Sequence, residues 1–371
     1  MKKFHLGLCA LALAGFACAK EVKIGVVLPL TGSVAAYGQD VLMGIELANK
    51  FQAKLKNGDD VKLVVLDSKG DKVESATAAT RLVSADKVLA LIGEAVTPNT
   101  MQVISVAESK KIPMIAPVAS GDKLLNGKKY SSRVCFMDSF QGQKFADYAF
   151  NTLNLKTAVL ITDQSNVYSL GLSKVFEQSF TQKGGKILKK FNISSNDKDF
   201  KAIVSQLQGI NADFVYMPIY HPEAALIAKQ ARAAGFKGLL AAGDGVNNKT
   251  FIELGGSAVN GVVFTDSFDY NNPPNQISKS FLDLYAKEKG TRELPAFSAM
   301  GADAYLVVLE AMNKCETNLT SECINNEIHS ITNFQSVGGT ININKSGNAS
   351  RSVVVKEIQN EKQTYKATIN P

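Results

Sequence analysis

The chain has 371 residues, of which 45% are hydrophobic and 20% charged, with 28 Gly and only 10 Pro, and this globular composition excludes disordered, collagen-like and small disulfide-stapled classes. Its 41 Lys plus Arg against 34 Asp plus Glu leave a mild +7. The basic residues fall singly or in pairs, as at Lys110-Lys111, Lys128-Lys129 and Lys189-Lys190, so no run can track phosphates and nucleic acid is not an expected partner.

The first segment reads as an export signal. Lys2 and Lys3 precede a short apolar stretch, Leu6 to Phe16, and Ala17-Cys18-Ala19 supplies small residues for cleavage before Lys20; residues 1–19 are expected to be removed on the way to the periplasm. The stretch is too short for a membrane helix, which needs about 20 apolar residues. A lipid tether on Cys18 is the less favoured alternative, because Gly15 and Phe16 replace the residues such a site prefers.

From Lys20 onward the chain alternates between short apolar runs and amphipathic stretches. Val22 to Pro29 reads as a strand, and Val41, Ile45 and Ala48 mark a helix after it. The unit recurs at Val61 to Leu66 with Val73 to Ser84, then at Val88 to Ile92 with Thr97 to Ser109, and ends with a strand at Ile112 to Ala116. A second series has helices at Gly142 to Leu153, Ser169 to Lys183, Lys198 to Leu207 and Pro222 to Ala234. Its strands are Thr157 to Thr162, Lys186 to Phe191, Asp213 to Pro218, Gly238 to Ala242 and Gly261 to Thr265. Such β-branched runs, buried on both faces and alternating with helices, predict parallel sheets in two three-layer α/β domains. After Pro273-Pro274, helices at Ile277 to Lys287 and Phe297 to Lys314 and strands at Gly339 to Ile343 and Ser352 to Ile358 are too few for a third domain and are expected to complete the first two.

Without the leader, Cys135, Cys315 and Cys323 remain. In an oxidising compartment, Cys315 and Cys323, on either side of a polar connection, are expected to pair, and Cys135 reads as a buried strand thiol. No metal site is expected, since the cysteines have no His at ligand spacing.

Ligands of doubly wound sheets sit beyond the carboxyl ends of the strands. One such end, Ile92-Gly-Glu-Ala-Val-Thr-Pro-Asn99, opens a helix at Thr97, whose hydroxyl and amide suit a carboxylate; Thr97 also reads as the helix N-cap, with Pro98 at the first helical position. Another, Ile115 to Gly121, carries Ser120, whose hydroxyl both donates and accepts. In Ala241 to Val246, Asp244 lies between two glycines, and it suits an ammonium as well as a plain turn. Tyr37, Tyr168, Tyr220 and Phe297 also fall near element ends.

Several phrases carry a family resemblance: Ile24-Gly-Val-Val-Leu-Pro-Leu-Thr-Gly32 with Tyr37-Gly38, Ala116-Pro-Val-Ala-Ser120, Asp213-Phe-Val-Tyr216 with Tyr220-His-Pro-Glu223, Gln230-Ala-Arg232 with Gly235, and Gly243-Asp-Gly-Val-Asn247. Between Lys23 and Lys356 the chain resembles the periplasmic leucine/isoleucine/valine-binding proteins of branched-chain amino-acid ABC transporters. The resemblance implies the type I periplasmic-binding fold: two Rossmann-like lobes joined by hinge strands, one formed by 20–138 plus 268–348 and the other by 139–267 plus 349–371. It implies that Thr97, Val118 and Ser120 hold an amino-acid carboxylate, that Asp244 beside Gly245 faces the ammonium, and that Tyr168 and Tyr220 close over the ligand. Tyr37 and Phe297 match positions lining an apolar side-chain pocket. This sequence departs from the family in having Asp244 where the branched-chain binders carry Glu, Val96 where enteric members carry a disulfide cysteine, and one extra residue before Tyr168.

The expected function is therefore capture of an apolar, branched-chain amino acid and its delivery to an ABC permease in the inner membrane, by a monomer without a cofactor. Alternatives are another amino acid or amide presented to a sensory receptor, or a cleft hydrolase. Nothing resembles a nucleophile elbow, a Walker loop or a dinucleotide turn, so no catalytic residue is expected; His221 reads as a rim or capping residue and His329 as part of a polar helix. Glu316-Thr-Asn-Leu-Thr320 fits an acidic glycosylation sequon at Asn318, against the plainer reading of an unmodified polar loop.

Overall fold

The computed structural model describes residues 20–315 and 318–371; the expected leader, and Glu316 and Thr317 of the sequon, lie outside them. The first half runs β1 (Glu21–Leu28), α1 (Ala35–Phe51), β2 (Asp60–Asp67), α2 (Lys72–Ser84), β3 (Ala90–Gly93), α3 (Thr97–Lys110), β4 (Met114–Ala116) and β5 (Ser131–Arg133). The second runs α4 (Asp138–Asp147), β6 (Thr157–Asp163), α5 (Val167–Gln182), β7 (Lys186–Ile193), α6 (Lys201–Leu207), β8 (Phe214–Met217), α7 (His221–Ala233), β9 (Leu239–Ala242), α8 (Lys249–Gly255) and β10 (Val263–Asp266). Then follow α9 (Gln276–Lys289), α10 (Ala296–Cys315), α11 (Ser321–Ile328), β11 (Phe334–Ser336), β12 (Gly339–Ile343), β13 (Ala349–Ser350), β14 (Val353–Gln359) and β15 (Lys362–Ile369).

The early strands form a parallel sheet in the order β2-β1-β3-β4-β5. The second sheet has the order β15-β14-β10-β9-β8-β6-β7, parallel from β10 to β7 and antiparallel at β14 and β15. Val, Ile and Leu crowd the central strands because helices cover both faces, leaving no solvent side for polar alternation. On one face of the first sheet, Val22, Ile24, Ile92 and Ile115 pack with Ile45 of α1 and with the late segment, including Phe281, Tyr305 and Ile341. The other face packs on α2 and α3 through Ala79, Leu82 and Val103. The second sheet is likewise covered on both faces, by Ile227 and Phe251 on one side and by Phe145, Phe176 and Phe180 on the other.

The expected mixed α/β architecture is present, with differences that have physical causes. β5 lacks the apolar run of a buried strand, yet Ser131, Ser132 and Arg133 are buried. Glu108 accepts from Ser131 Oγ at 2.7 Å, and the Arg133 guanidinium donates to Gly121 O at 2.9 Å, so polar partners replace apolar packing there. Cys135 lies beyond β5 rather than in a strand, although it is buried, with its thiol donating to Ala119 O at 3.3 Å. The helix expected from Gly142 starts at Asp138, whose acid suits the positive helix start, and ends in a π-helical turn over Tyr148–Thr152. α8, β11 and β15 were not expected; each is short or polar on its outer face. His329 is the C-cap of α11, not a residue within it.

The disulfide Cys315–Cys323 is formed and ties the end of α10 to α11. α10 also packs tightly on α1. A Cβ at Gly44 would overlap Ser298 O and one at Gly301 would overlap Val41 O, so glycine on both helices permits backbone-level contact. Gly44→Ala is expected to lower stability by about 1–3 kcal/mol through overpacking against this rigid neighbour, read as a fall in Tm by calorimetry of the purified protein.

Candidate ligand-binding site

The carboxyl ends of the parallel strands of both sheets face a small cavity between the two halves. Every residue singled out for ligand contact lines it: Tyr37 from α1, Thr97 from α3, Val118 and Ser120 from the loop after β4, Tyr168 from α5, Tyr220 before α7, Asp244 and Gly245 after β9, and Phe297 from α10. All are buried except the half-buried Tyr220. Ala95, Val96 and Ala119 complete the wall; small apolar residues carry no signal in sequence that would single them out.

Asp244 sits in a short 3-10 turn at the strand end. Its Oδ1 accepts from the Tyr168 hydroxyl at 2.9 Å and from Gln141 Nε2 at 3.0 Å. Gln141 Oε1 in turn accepts from the Asp244 amide at 2.9 Å and from Thr265 Oγ1 at 2.5 Å. These neutral donors orient the acid without neutralising it, and burial raises its pKa to about 6 against their opposing pull. The flanking glycines make this approach possible. A Cβ at Gly243 would stand 2.6 Å from the Tyr168 hydroxyl, and one at Gly245 2.7 Å from Ile219 O. Gln141 is the residue that sequence reasoning missed; a lone Gln near a helix start has no motif, and only the fold brings it under Asp244.

Thr97 is the first residue of α3 and Val96 its N-cap, so the expected capping role of Thr97 is replaced by a different one. Its Oγ1 accepts from the Gly121 amide at 3.3 Å, linking α3 to the Ser120 loop. No side chain caps α3; the buried Glu94 braces the turn before it, accepting from Val96 N at 2.9 Å, Ser68 Oγ at 2.6 Å and Asn99 Nδ2 at 3.3 Å. The Thr97 amide heads the helix, where no preceding turn supplies a carbonyl to accept it and the dipole favours an anion. Arg133 fixes the loop beyond Ala119 through its bond to Gly121 O.

Aromatic rings close the cavity from both sides. Tyr168 and Tyr220 stack at 5.1 Å between centroids, and Tyr37 meets Tyr220, His221 and Phe297 edge-on at 5.6, 4.8 and 5.6 Å. The Tyr37 hydroxyl donates to Gly245 O and accepts from the His221 amide at 3.1 Å, joining one half of the molecule to the other. His221 is therefore beneath Tyr37 and only 1% exposed, not at a rim. Burial lowers its pKa to about 4 and leaves the ring neutral. Among the described residues, no group of His, Cys, Asp and Glu could hold a metal ion, and no helix is long and apolar enough to cross a membrane.

Comparison with known proteins gives this geometry a context. A family model for periplasmic binding proteins matches residues 21–363. A leucine binding protein from Thermotoga maritima superposes with a TM-score of 0.91 at 39% identity, covering 94% of this chain and 99% of that one. The branched-chain amino acid transporter substrate binding protein of Streptococcus pneumoniae, solved with isoleucine, gives 0.89 at 28% identity over 95% and 100% of the two chains. The Leu/Ile/Val-binding protein homolog 3 of Brucella melitensis is 28% identical over 344 residues, 91% of this chain and 92% of its own. The chain belongs to the periplasmic binding protein family, whose members bind solutes and are not enzymes.

Proposed function

We propose that this protein captures an apolar, branched-chain L-amino acid between its two halves and hands it to an ABC permease of the inner membrane. It would act as a periplasmic monomer exported by cleavage before Lys20, with 20–138 plus 268–348 forming one lobe and 139–267 plus 349–371 the other. The observation that carries this reading is the polarity of the cavity: an unneutralised acid, Asp244, faces Thr97 and Ser120 across an aromatic wall. An α-amino acid supplies the missing cation to Asp244 and a carboxylate to the hydroxyl and amide of Thr97 and the hydroxyl of Ser120. Its side chain then meets Tyr37, Val118, Tyr220 and Phe297. The relatives named for leucine and isoleucine support the apolar side chain.

The mechanism follows from where the contacts originate. Ligand groups held by residues of both halves are fully paired only when the halves are together, so binding shifts an open–closed equilibrium by the difference in affinity between the two states. A permease that recognises the closed surface would then read occupancy. Desolvated charges are tolerated when each is paired or hydrogen-bonded, and a micromolar complex corresponds to about 8 kcal/mol.

Calorimetry on refolded, ligand-free protein is expected to show one-to-one binding of leucine, isoleucine or valine, lost on Asp244→Ala. Absence of binding by all α-amino acids would refute the reading. Because the unliganded acid titrates near pH 6, a proton must leave before it pairs with an ammonium. Affinity should be level toward neutral pH and fall about tenfold per unit below pH 6, measurable as Kd at pH 7, 6 and 5. Tyr37→Phe removes the hydroxyl that joins Gly245 to His221 and should weaken binding by about 1–2 kcal/mol, with the fold otherwise unchanged by circular dichroism.

A further inference from the structure

The acidic sequon at Asn318 has no part in ligand capture, and the fold separates it from every similar triplet in the chain. Five Asn-x-Ser/Thr triplets occur, at Asn192, Asn248, Asn318, Asn344 and Asn348. Only Asn318 has an acid two residues before it, Glu316; the others have Lys190, Val246, Asn342 and Ser346 there. Their settings differ as well. Asn192 is held in β7, and Asn248 is the buried N-cap of α8, its Oδ1 accepting from Phe251 N at 2.8 Å. Asn344 shapes the turn after β12 by accepting from Ser346 N and Asn348 N at 2.9 and 3.0 Å, and Asn348 is half-buried in the same turn.

Asn318, Leu319 and Thr320 belong to neither helix nor strand and connect α10 to α11. Asn318 and Thr320 are exposed, while the half-buried Leu319 packs on the core of the first half. Local backbone bonds shape the segment: Asn318 N donates to Cys315 O at 2.7 Å and Thr320 N to Asn318 O at 2.9 Å. An enzyme can therefore grip Asn318 without breaking a sheet ladder or a helical turn. Thr320 Oγ1 accepts from Cys323 N at 3.2 Å as the cap of α11.

The position also leaves the ligand cavity clear. α10 carries the chain about 27 Å from Phe297, in the cavity wall, to Cys315. Just past the sequon, Ser321 Oγ donates to Leu89 O at 3.0 Å, and Asn325 Nδ2 donates to Lys129 O at 3.0 Å. Leu89 and Lys129 immediately precede β3 and β5. The sequon thus stands at the amino ends of the first sheet's strands, whereas the cavity lies beyond their carboxyl ends.

We propose that Asn318 is an N-glycosylation site, modified in the periplasm by a membrane-bound oligosaccharyltransferase with a polyprenyl-diphosphate-linked oligosaccharide as donor. The Asn318 carboxamide nitrogen bonds to C1 of the first sugar as the bond from C1 to the diphosphate oxygen breaks. The electron pair leaves with the polyprenyl diphosphate, the nitrogen gives up one proton to water, and nothing is oxidised or reduced. A glycan is bulky and solvated, and at this pole one can be carried while the two halves close at the other.

The inference rests on the export reading and not on the ligand, and one experiment separates the two. The protein is purified from cells of its own bacterium, its N-terminus is determined, and its peptides are fragmented by mass spectrometry to locate any added sugar. The expected result is a chain without its leader, with whole sugar residues on Asn318 and none on Asn192, Asn248, Asn344 or Asn348. Asn318→Gln and Glu316→Gln should each lose the added mass. Thr320→Ser should keep it, because the hydroxyl that completes the triplet and caps α11 is retained. A leaderless chain with Asn318 unmodified, or with sugar on another of these asparagines instead, would overturn the site alone. Sugar retained on Glu316→Gln would overturn the role of the acid in selecting Asn318. A chain that still carries residues 1–19 would overturn the export reading and the site together.

Discussion

A buried carboxylate without a protein cation is the constraint around which this molecule is arranged. Two other buried acids are paired with bases: Asp303 with Arg351 at 2.6 Å, and Asp266 with Lys356 at 2.6 Å. Asp244 is also buried, yet among the described residues no Lys or Arg forms an ion pair with it. Its partners are a phenol and a carboxamide, which orient without neutralising. Removing one partner of a buried pair is strongly destabilising. A site built with the cation left out is therefore unfavourable until an outside cation completes it, and that deficit is what binding energy acts upon.

The two complete ion pairs sit where the chain passes between its halves. Arg351 also donates to Val134 O at 3.1 Å and Gly338 O at 2.6 Å, gathering the end of the first sheet, the late antiparallel hairpin and the final crossing segment. Lys356 on β14 reaches Asp266 at the end of β10, and Asn247 donates to the same acid at 2.6 Å, so the loop that carries Asp244 is braced from the hinge side. Buried ion pairs with added hydrogen bonds hold geometry more than they add stability. In the proposed open–closed cycle, motion between the halves would proceed about this fixed base while the cavity end opens. There the cross-links are few and breakable: the Tyr37 hydroxyl bridge and ring contacts of the sort that contribute about 0.5–1.5 kcal/mol each.

Much of this was legible in the residues. Strands such as β1 and β3 are apolar on both faces because they are covered on both faces, and that pattern alone fixes layers and parallel pairing. The glycine-flanked Asp244 and the Thr97 helix start announced a polar strand end. Elements held by polar or edge interactions were not visible in this way. β5 is built of Ser-Ser-Arg and is buried only because Glu108 and two loop carbonyls satisfy it. β15 runs along the edge of its sheet beside β14, so its outer side needs no apolar signature. Thr97 was misread as a cap because Thr-Pro resembles a helix start; the helix begins one residue earlier than that reading placed it, with Val96 at the cap position and no side chain capping it. Gln141 was invisible for a deeper reason, since its role exists only once α4 and the loop after β9 are brought together.

The shorter acid at position 244 can now be seen as part of a set rather than as a simple deviation. An Asp reaches less far into the cavity than a Glu, and the donors that hold it, Tyr168 and Gln141, approach it closely only because Gly243 and Gly245 carry no Cβ. Restoring the longer side chain alone would push a carboxylate past those donors and toward the ligand, without gaining a cation. The polar end of the site is therefore tuned as a unit of acid, phenol, carboxamide and paired glycines, fixed to the second sheet. The apolar end, formed by Tyr37, Val118 and Phe297, comes from three different elements of the first half. On the proposed reading, substitution there would change which side chain fits without disturbing the acid that faces the ammonium, so the ammonium contact and most of the side-chain wall draw on different halves.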